Sequence, residues 1–213
     1  MSGSNLLTQD IHLFENRREG SVRLRFSQRH GLSQFATLSE RAYFRERSLR
    51  LRWQFLGEIA NQIDAIEKTD NLTSSAPSVR ERAVRSATVS SDWSYRPIQA
   101  VEAGFRIDVG RATNGDTTEA DMNAFALRTV YSIKSKGQLR VELTREEVVL
   151  KRQGDIVPFE LTGGRVNGKT WLWRLGLEYR VTQFIQAFVS YDGRSEGGGS
   201  PVHTARAEVR AFF

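Results

Sequence analysis

The sequence has 213 residues, 39% hydrophobic and 26% charged, a length that fits one domain better than two. It contains no cysteine, which excludes disulfide bonds, thiol catalysis and cysteine-ligated metals. The net charge is +6, with 26 arginines against 5 lysines. No run of 18 apolar residues occurs, which excludes a transmembrane helix. Membrane-spanning strands are not excluded, because they alternate apolar and polar residues and their mean hydropathy resembles that of a soluble protein.

The first third of the chain predicts a hairpin followed by a connection. Residues 1–5 show no secretory signal, so an exported protein with this start is expected to be the tail of a longer chain. Residues 11–14 and 22–26 alternate as two strands around the polar segment 17–20. Residues 28–47 fit no pattern, and residues 48–68 alternate as one long strand.

The rest of the chain alternates apolar and polar residues with period two, which predicts seven further strands. The predicted fold is all-β, an up-and-down antiparallel meander of about 8–10 strands in one segment, residues 1–213. Residues 1–47 form its hairpin and connection, and residues 48–213 form the meander. The seven strands are predicted at 83–95, 101–111, 125–133, 139–143, 171–181, 185–191 and 203–213.

Connection lengths alternate along this meander. Short connections are predicted at 96–99, 135–137 and 181–183, and long polar ones at 69–80, 113–121, 152–166 and 193–202. Short turns on one side and long loops on the other are typical of transmembrane β-barrels of the outer membrane. The pattern therefore predicts the carboxy-terminal part of such a barrel. A soluble or periplasmic β-sheet binding domain remains the alternative.

The face opposite the apolar residues carries charges of both signs, and in a barrel it would line the lumen. Charges of opposite sign on neighbouring positions of a sheet can pair. Arg145 breaks the apolar face, and the apolar residues then shift to Val148, so a bulge is predicted between Leu143 and Val148. The residues predicted to form lumen-facing ion pairs with neighbouring strands are Arg106, Asp108, Arg140, Glu142, Arg174, Glu178, Arg206 and Glu208.

Aromatic residues gather toward the two ends of the predicted strands. Rings of this kind form girdles where a barrel meets the two membrane interfaces. The girdle at the short turns is predicted to contain Trp93, Tyr95, Tyr131 and Tyr179, and the one at the long loops Trp171, Trp173 and Tyr191.

The last strand ends in Phe213, preceded at alternating positions by Ala211 and Val209. This end resembles the carboxy-terminal strand of bacterial outer-membrane β-barrel proteins. The resemblance implies that Phe213, Ala211 and Val209 form an assembly signal read by the barrel-assembly machinery. Tyr95–Pro97, 160–164, Trp173–Leu175 and Tyr191–Arg194 also resemble the tail of large, poorly characterised bacterial surface proteins.

The predicted function is the wall of a pore, receptor or secretion-type channel in the outer membrane, with no catalysis of its own. Its expected partners are outer-membrane lipid, the assembly machinery and the remaining strands of a longer parent chain. His12, His30 and His203 share no ligand spacing, and Asp116, Glu119 and Asp121 do not match an EF-hand loop, so no metal or cofactor is predicted. Nucleic acid is not an expected partner, because arginines and aromatic residues fall on opposite faces.

Overall fold

The computed structural model describes residues 2–13, 20–35, 38–55, 57–75, 81–115, 118–151 and 159–212. Most of these residues lie in eleven β-strands. The strands are β1 (Ser2–Leu13), β2 (Gly20–Phe35), β3 (Leu38–Phe55), β4 (Ile59–Ser74), β5 (Arg82–Ile98), β6 (Val101–Asn114), β7 (Thr118–Ile133), β8 (Gly137–Lys151), β9 (Gly168–Arg180), β10 (Ile185–Glu196) and β11 (Val202–Ala211).

All eleven strands form one sheet in the order of the chain. Each strand pairs antiparallel with its neighbours in sequence, so the predicted up-and-down meander is confirmed. Among the described residues, β1 pairs only with β2, and β11 pairs only with β10. The sheet is therefore open, and β1 and β11 are its two edges.

The first third of the chain contains more strands than predicted. The single strand expected at 48–68 is wrong, because β3 ends at Phe55 and β4 begins at Ile59, with a turn at 57–58. Gly57 adopts a φ of 74°, and the Gln54 side-chain amide donates a hydrogen bond to the Gly57 carbonyl at 2.9 Å. The unassigned residues 28–47 complete β2 and begin β3.

The connections fall into two sets at opposite ends of the sheet. At the short-connection end, β1, β3, β5, β7 and β9 each lead into the next strand. At the long-connection end, β2, β4, β6, β8 and β10 each lead into the next strand. The long loop predicted at 113–121 is wrong, since β6 continues to Asn114 and β7 begins at Thr118.

Alternation divides the sheet into an apolar and a polar face. The apolar face consists of the odd-numbered residues of β1 and β3–β11 and the even-numbered residues of β2, as the pairing register shows. Large side chains on this face are exposed, for example Phe105 (38%), Leu127 (45%) and Val141 (42%). A sheet that folds in water buries such a face, so the exposure indicates a non-aqueous environment around it.

The register of β8 overturns the predicted bulge between Leu143 and Val148. The strand pairs without a shift to β7 and β9 through this segment. Val148 lies on the polar face and is only 2% exposed. Arg145 stays on the apolar face, where it pairs with Glu147 at 3.3 Å and lies over the Trp171 ring. The register shift that does occur lies between Tyr95 and Ile98.

A helical turn, α1 (Phe159–Thr162), lies in the connection between β8 and β9 and covers part of the polar face. Its Leu161 is 1% exposed and packs with Val84, Ala112 and Ala120 in an apolar cluster, here called the plug cluster. Within the described ranges, no helix has the length and apolarity needed to cross a membrane.

Gly137 begins β8 where the backbone of β9 approaches it closely. A Cβ atom at Gly137 would lie 2.2 Å from the Glu178 carbonyl oxygen, whereas one at Gly176 would meet nothing within 4 Å. We therefore expect Gly137→Ala to lower the free energy of unfolding by about 1–3 kcal/mol, because backbone has to move. Gly176→Ala, the matched control in β9, should be neutral or slightly stabilising. Urea unfolding in detergent micelles measures both; equal effects would contradict the prediction.

Candidate functional site

The polar face carries a layer of ion pairs between neighbouring positions. Among the residues predicted to take part in ion pairs, Arg106 contacts Asp108 at 2.8 Å and Arg206 contacts Glu208 at 3.4 Å, each within its own strand. Arg174 pairs across neighbouring strands. Arg140 bonds to Gln138, and Arg174 binds Asp192 at 2.7 Å, directly opposite on β10, with Glu142 at 3.9 Å. Glu178 accepts a hydrogen bond from Gln186 at 2.5 Å.

A further ion pair crosses a whole strand and was not anticipated from the sequence. The Arg128 guanidinium on β7 donates to both carboxylate oxygens of Asp92 on β5, at 2.6 and 2.7 Å. Gly104 on the intervening β6 makes room for this, since a Cβ there would lie 3.0 Å from Arg128 Nε. A glycine inside an alternating strand often marks such a close approach, so Gly104 was the available signal.

A cavity of about 670 Å³ lies over the polar face of β6–β11. The charges around it balance, because four basic and four acidic side chains line it. The charged lining residues are Arg106, Arg165, Arg174, Arg194, Asp108, Glu142, Glu146 and Asp192.

The turn α1 covers part of the polar face next to this cavity. Leu161 fills the plug cluster, and Arg165 binds Glu146 of β8 at 3.4 Å. The turn ends at Gly163 and Gly164, whose φ values of 63° and 82° are in the left-handed region that glycine favours. The sequence signal for this element was Leu161, an apolar residue two positions before the glycine pair, inside a polar connection.

No protein-family model and no curated protein sequence matches the chain. Solved structures match its fold. The outer-membrane expressed OmpT of Vibrio cholerae is 11% identical, with 96% of this chain and 88% of that chain covered and a TM-score of 0.55. A loop L8 deletion mutant of Vibrio cholerae OmpT is 10% identical, with 99% of each chain covered and a TM-score of 0.57. The fold is that of a bacterial outer-membrane β-barrel.

These matches confirm the resemblance to outer-membrane barrel proteins at the level of fold, and they agree with the predicted outer-membrane location. They correct another prediction. The chain was expected to have no catalysis of its own, and this prediction is wrong as an inference from the fold. A barrel fold does not exclude catalysis, because one fold can carry many unrelated functions, and the matching solved structures show the fold alone.

The aromatic residues predicted as girdles of the barrel lie on its apolar face. Trp93 stacks on Phe105 with ring centroids 6.1 Å apart. Toward the long-connection end, the Trp173 ring covers Gly193, where a Cβ would lie 2.1 Å from the ring. Tyr95, Tyr131 and Tyr179 lie near the ends of their strands at the short-connection end, whereas Trp171 and Tyr191 lie farther from it along β9 and β10. Their role as girdles stays a prediction.

The predicted assembly signal lies at the open edge of the barrel. Val209 pairs with Ala187 and Ala211 pairs with Ile185, both on the apolar face of β11. Phe213 lies outside the described residues, and the role of all three stays a prediction. Phe212 continues the pairing, since its backbone N–H donates to the Phe184 carbonyl at 2.9 Å.

The histidines do not come together with one another. His203 lies 2.8 Å from the Tyr191 hydroxyl through Nδ1, and His30 packs against the Tyr43 ring. Glu119 and Asp121, weighed as calcium ligands, both pair with Arg111, at 3.2 and 3.0 Å. Asp116 lies outside the described residues. Within the described ranges, no group of three or more His, Asp or Glu side chains is placed to hold a metal ion.

Proposed function

We propose that the chain forms the membrane-spanning wall of an outer-membrane pore, receptor or secretion channel. The observation that carries this proposal is the inverted burial of the sheet. Its large apolar side chains are exposed on the apolar face, while its buried hydrophobic residues lie on the polar face or in α1. In a barrel this arrangement turns the apolar face to lipid and the polar face to a water-filled interior.

The polar face supports a passage for hydrophilic solutes. Its charged side chains form ion pairs along the wall, such as Asp92 with Arg128 and Asp192 with Arg174. These side chains therefore stay on the wall and do not extend across an open interior. The plug cluster narrows the passage on the side of β5–β7. The balanced charges favour selection by size over selection by charge.

The edges of the sheet imply partners of the barrel wall. Within lipid every backbone donor and acceptor must be paired, and the outer edges of β1 and β11 have no strand beside them among the described residues. We propose that further strands of a longer parent chain occupy these edges and that the assembly machinery pairs with β11 during insertion.

Spin labels test the direction of the two faces. Labels at Leu127 and Val141 should be accessible to oxygen dissolved in the bilayer, because they face lipid. Labels at Arg106 and Glu178 should instead be accessible to a water-soluble nickel chelate. The reverse pattern would contradict the proposal and favour a soluble or periplasmic binding domain with its core on the apolar face.

A further inference from the structure

The charged residues of the apolar face are concentrated toward the long-connection end of the sheet. Most of them form ion pairs. Arg111 binds Glu119 and Asp121, Arg145 binds Glu147, and Arg47 contacts Glu67 at 3.7 Å. Three arginines of the same face, namely Arg41, Arg45 and Arg85, have no carboxylate partner among the described residues. We call these three the free arginines.

The pairing register brings the free arginines into one patch. Arg45 on β3 pairs with Thr69 on β4, and Thr69 pairs with Arg85 on β5. The two arginines therefore stand on one row, roughly 10 Å apart at the backbone, since adjacent strands are spaced by about 4.8 Å. Thr69 between them is only 6% exposed. Arg41 lies on the same face of β3, four residues nearer the long connections, which is roughly 13 Å along the strand.

Two grooves follow one another along β1–β5 on this face. The upper groove, of about 650 Å³, is lined by Gly3, His30, Arg41 and Tyr43, and so offers cationic and hydrogen-bonding groups. The lower groove, of about 460 Å³, is lined by Ile11, Leu24, Leu49, Ala65 and Val89 and is almost wholly apolar. The small side chain of Ala65 forms the floor of this groove, because Ala65 pairs with Leu49 on one side and with Val89 on the other.

We propose that this face binds one lipid with a phosphate-bearing anionic headgroup, the phosphate on the free arginines and an acyl chain in the lower groove. Guanidinium groups match phosphate oxygens in charge and geometry. The order of the grooves matches a lipid that stands in the leaflet at the long-connection end. The site rests on the proposed function, since it requires the apolar face to lie in a membrane.

The test uses the full chain folded in detergent, with phosphatidylglycerol and phosphatidylcholine added, and counts retained lipids by native mass spectrometry. The wild type should retain phosphatidylglycerol in preference to phosphatidylcholine. Combined Arg41→Gln, Arg45→Gln and Arg85→Gln should lower the affinity for phosphatidylglycerol by about tenfold or more, since each cation near an anionic lipid contributes about fivefold. Combined Arg111→Gln, Arg145→Gln and Lys151→Gln removes the same charge from the same face and should retain the preference.

Ala65→Phe tests the acyl part of the site, because the ring fills the lower groove. It should reduce retention of both lipids while leaving the preference for phosphatidylglycerol.

Equal losses in the two triple variants, or no preference in the wild type, would overturn the lipid site. Loss of the heat-dependent shift in SDS gel mobility identifies any variant that fails to fold, and three single substitutions then replace the triple one. A wild-type chain that inserts into no detergent or vesicle would instead defeat the proposed function.

Discussion

Leu127→Arg is expected to lower the free energy of unfolding in a phospholipid bilayer by about 2–4 kcal/mol, the cost of a lipid-facing arginine near the bilayer midplane. Leu127 lies well inside β7 and is 45% exposed on the apolar face. Its neighbours across the sheet are Phe105 and Leu143, so a guanidinium there finds no carboxylate opposite it. Urea unfolding in vesicles, followed by tryptophan fluorescence, measures the change.

Ala126→Arg is the matched control for this prediction. Ala126 precedes Leu127 on the same strand but lines the polar cavity, which also holds Asp108 and Glu142. An arginine there lies opposite Arg106, which Asp108 already neutralises, and it remains hydrated and near Glu142, so the expected loss is under about 1 kcal/mol. If Ala126→Arg proved as costly as Leu127→Arg, the two faces of the sheet would not differ in environment, and the assignment of the apolar face to lipid would fail.

The second large effect is expected at the plug cluster. Leu161→Asp should release α1 from the polar face, because a carboxylate replaces a side chain that is 1% exposed among Val84, Ala112 and Ala120. Loss of a buried leucine alone costs about 2–5 kcal/mol, and the buried charge adds to this. The undocked population of α1 should therefore rise by more than about tenfold.

Cysteine labelling measures the release of α1, since the chain has no cysteine of its own. Ala120→Cys introduces a thiol where the side chain is 0% exposed. A water-soluble maleimide should label it slowly in the otherwise unchanged protein and rapidly together with Leu161→Asp. Val166→Asp, at a residue 49% exposed in the same connection, is the control and should leave labelling slow. Fast labelling without Leu161→Asp would show that α1 is not docked.

The alternation of the second half of the chain was enough to predict its strands and faces. In β6, for example, Phe105, Ile107 and Val109 share one face and Arg106 and Asp108 the other. This could be predicted because period two is a local property of an extended backbone. The predicted loop at 113–121 failed because charge was taken as a sign of irregular structure. Glu119 and Asp121 instead lie in β7, where they form ion pairs with Arg111 of β6 and Lys151 of β8.

Predictions failed where tertiary contacts decide the structure. The register change expected near Val148 rested on its apolar character, but Val148 is buried on the polar face. The partner of each charged residue could not be predicted from the alternation, because it depends on the register between strands. Arg174, for example, pairs with Asp192, which lies directly opposite it on β10. The long contact from Arg128 to Asp92 depends on the space above Gly104, which no alternation pattern encodes.

The described part of the chain forms eleven strands, an odd number, and this determines whether its two edge strands would pair parallel or antiparallel. Successive strands reverse direction, so β1 and β11 both run from the long-connection end to the short-connection end. Direct contact between them would create a parallel seam with slanted hydrogen bonds. An antiparallel ring, with the even strand count of bacterial single-chain barrels, is reached by inserting one strand, or another odd number. A strand inserted beside β11 would run from the short-connection end to the long-connection end, antiparallel to β11.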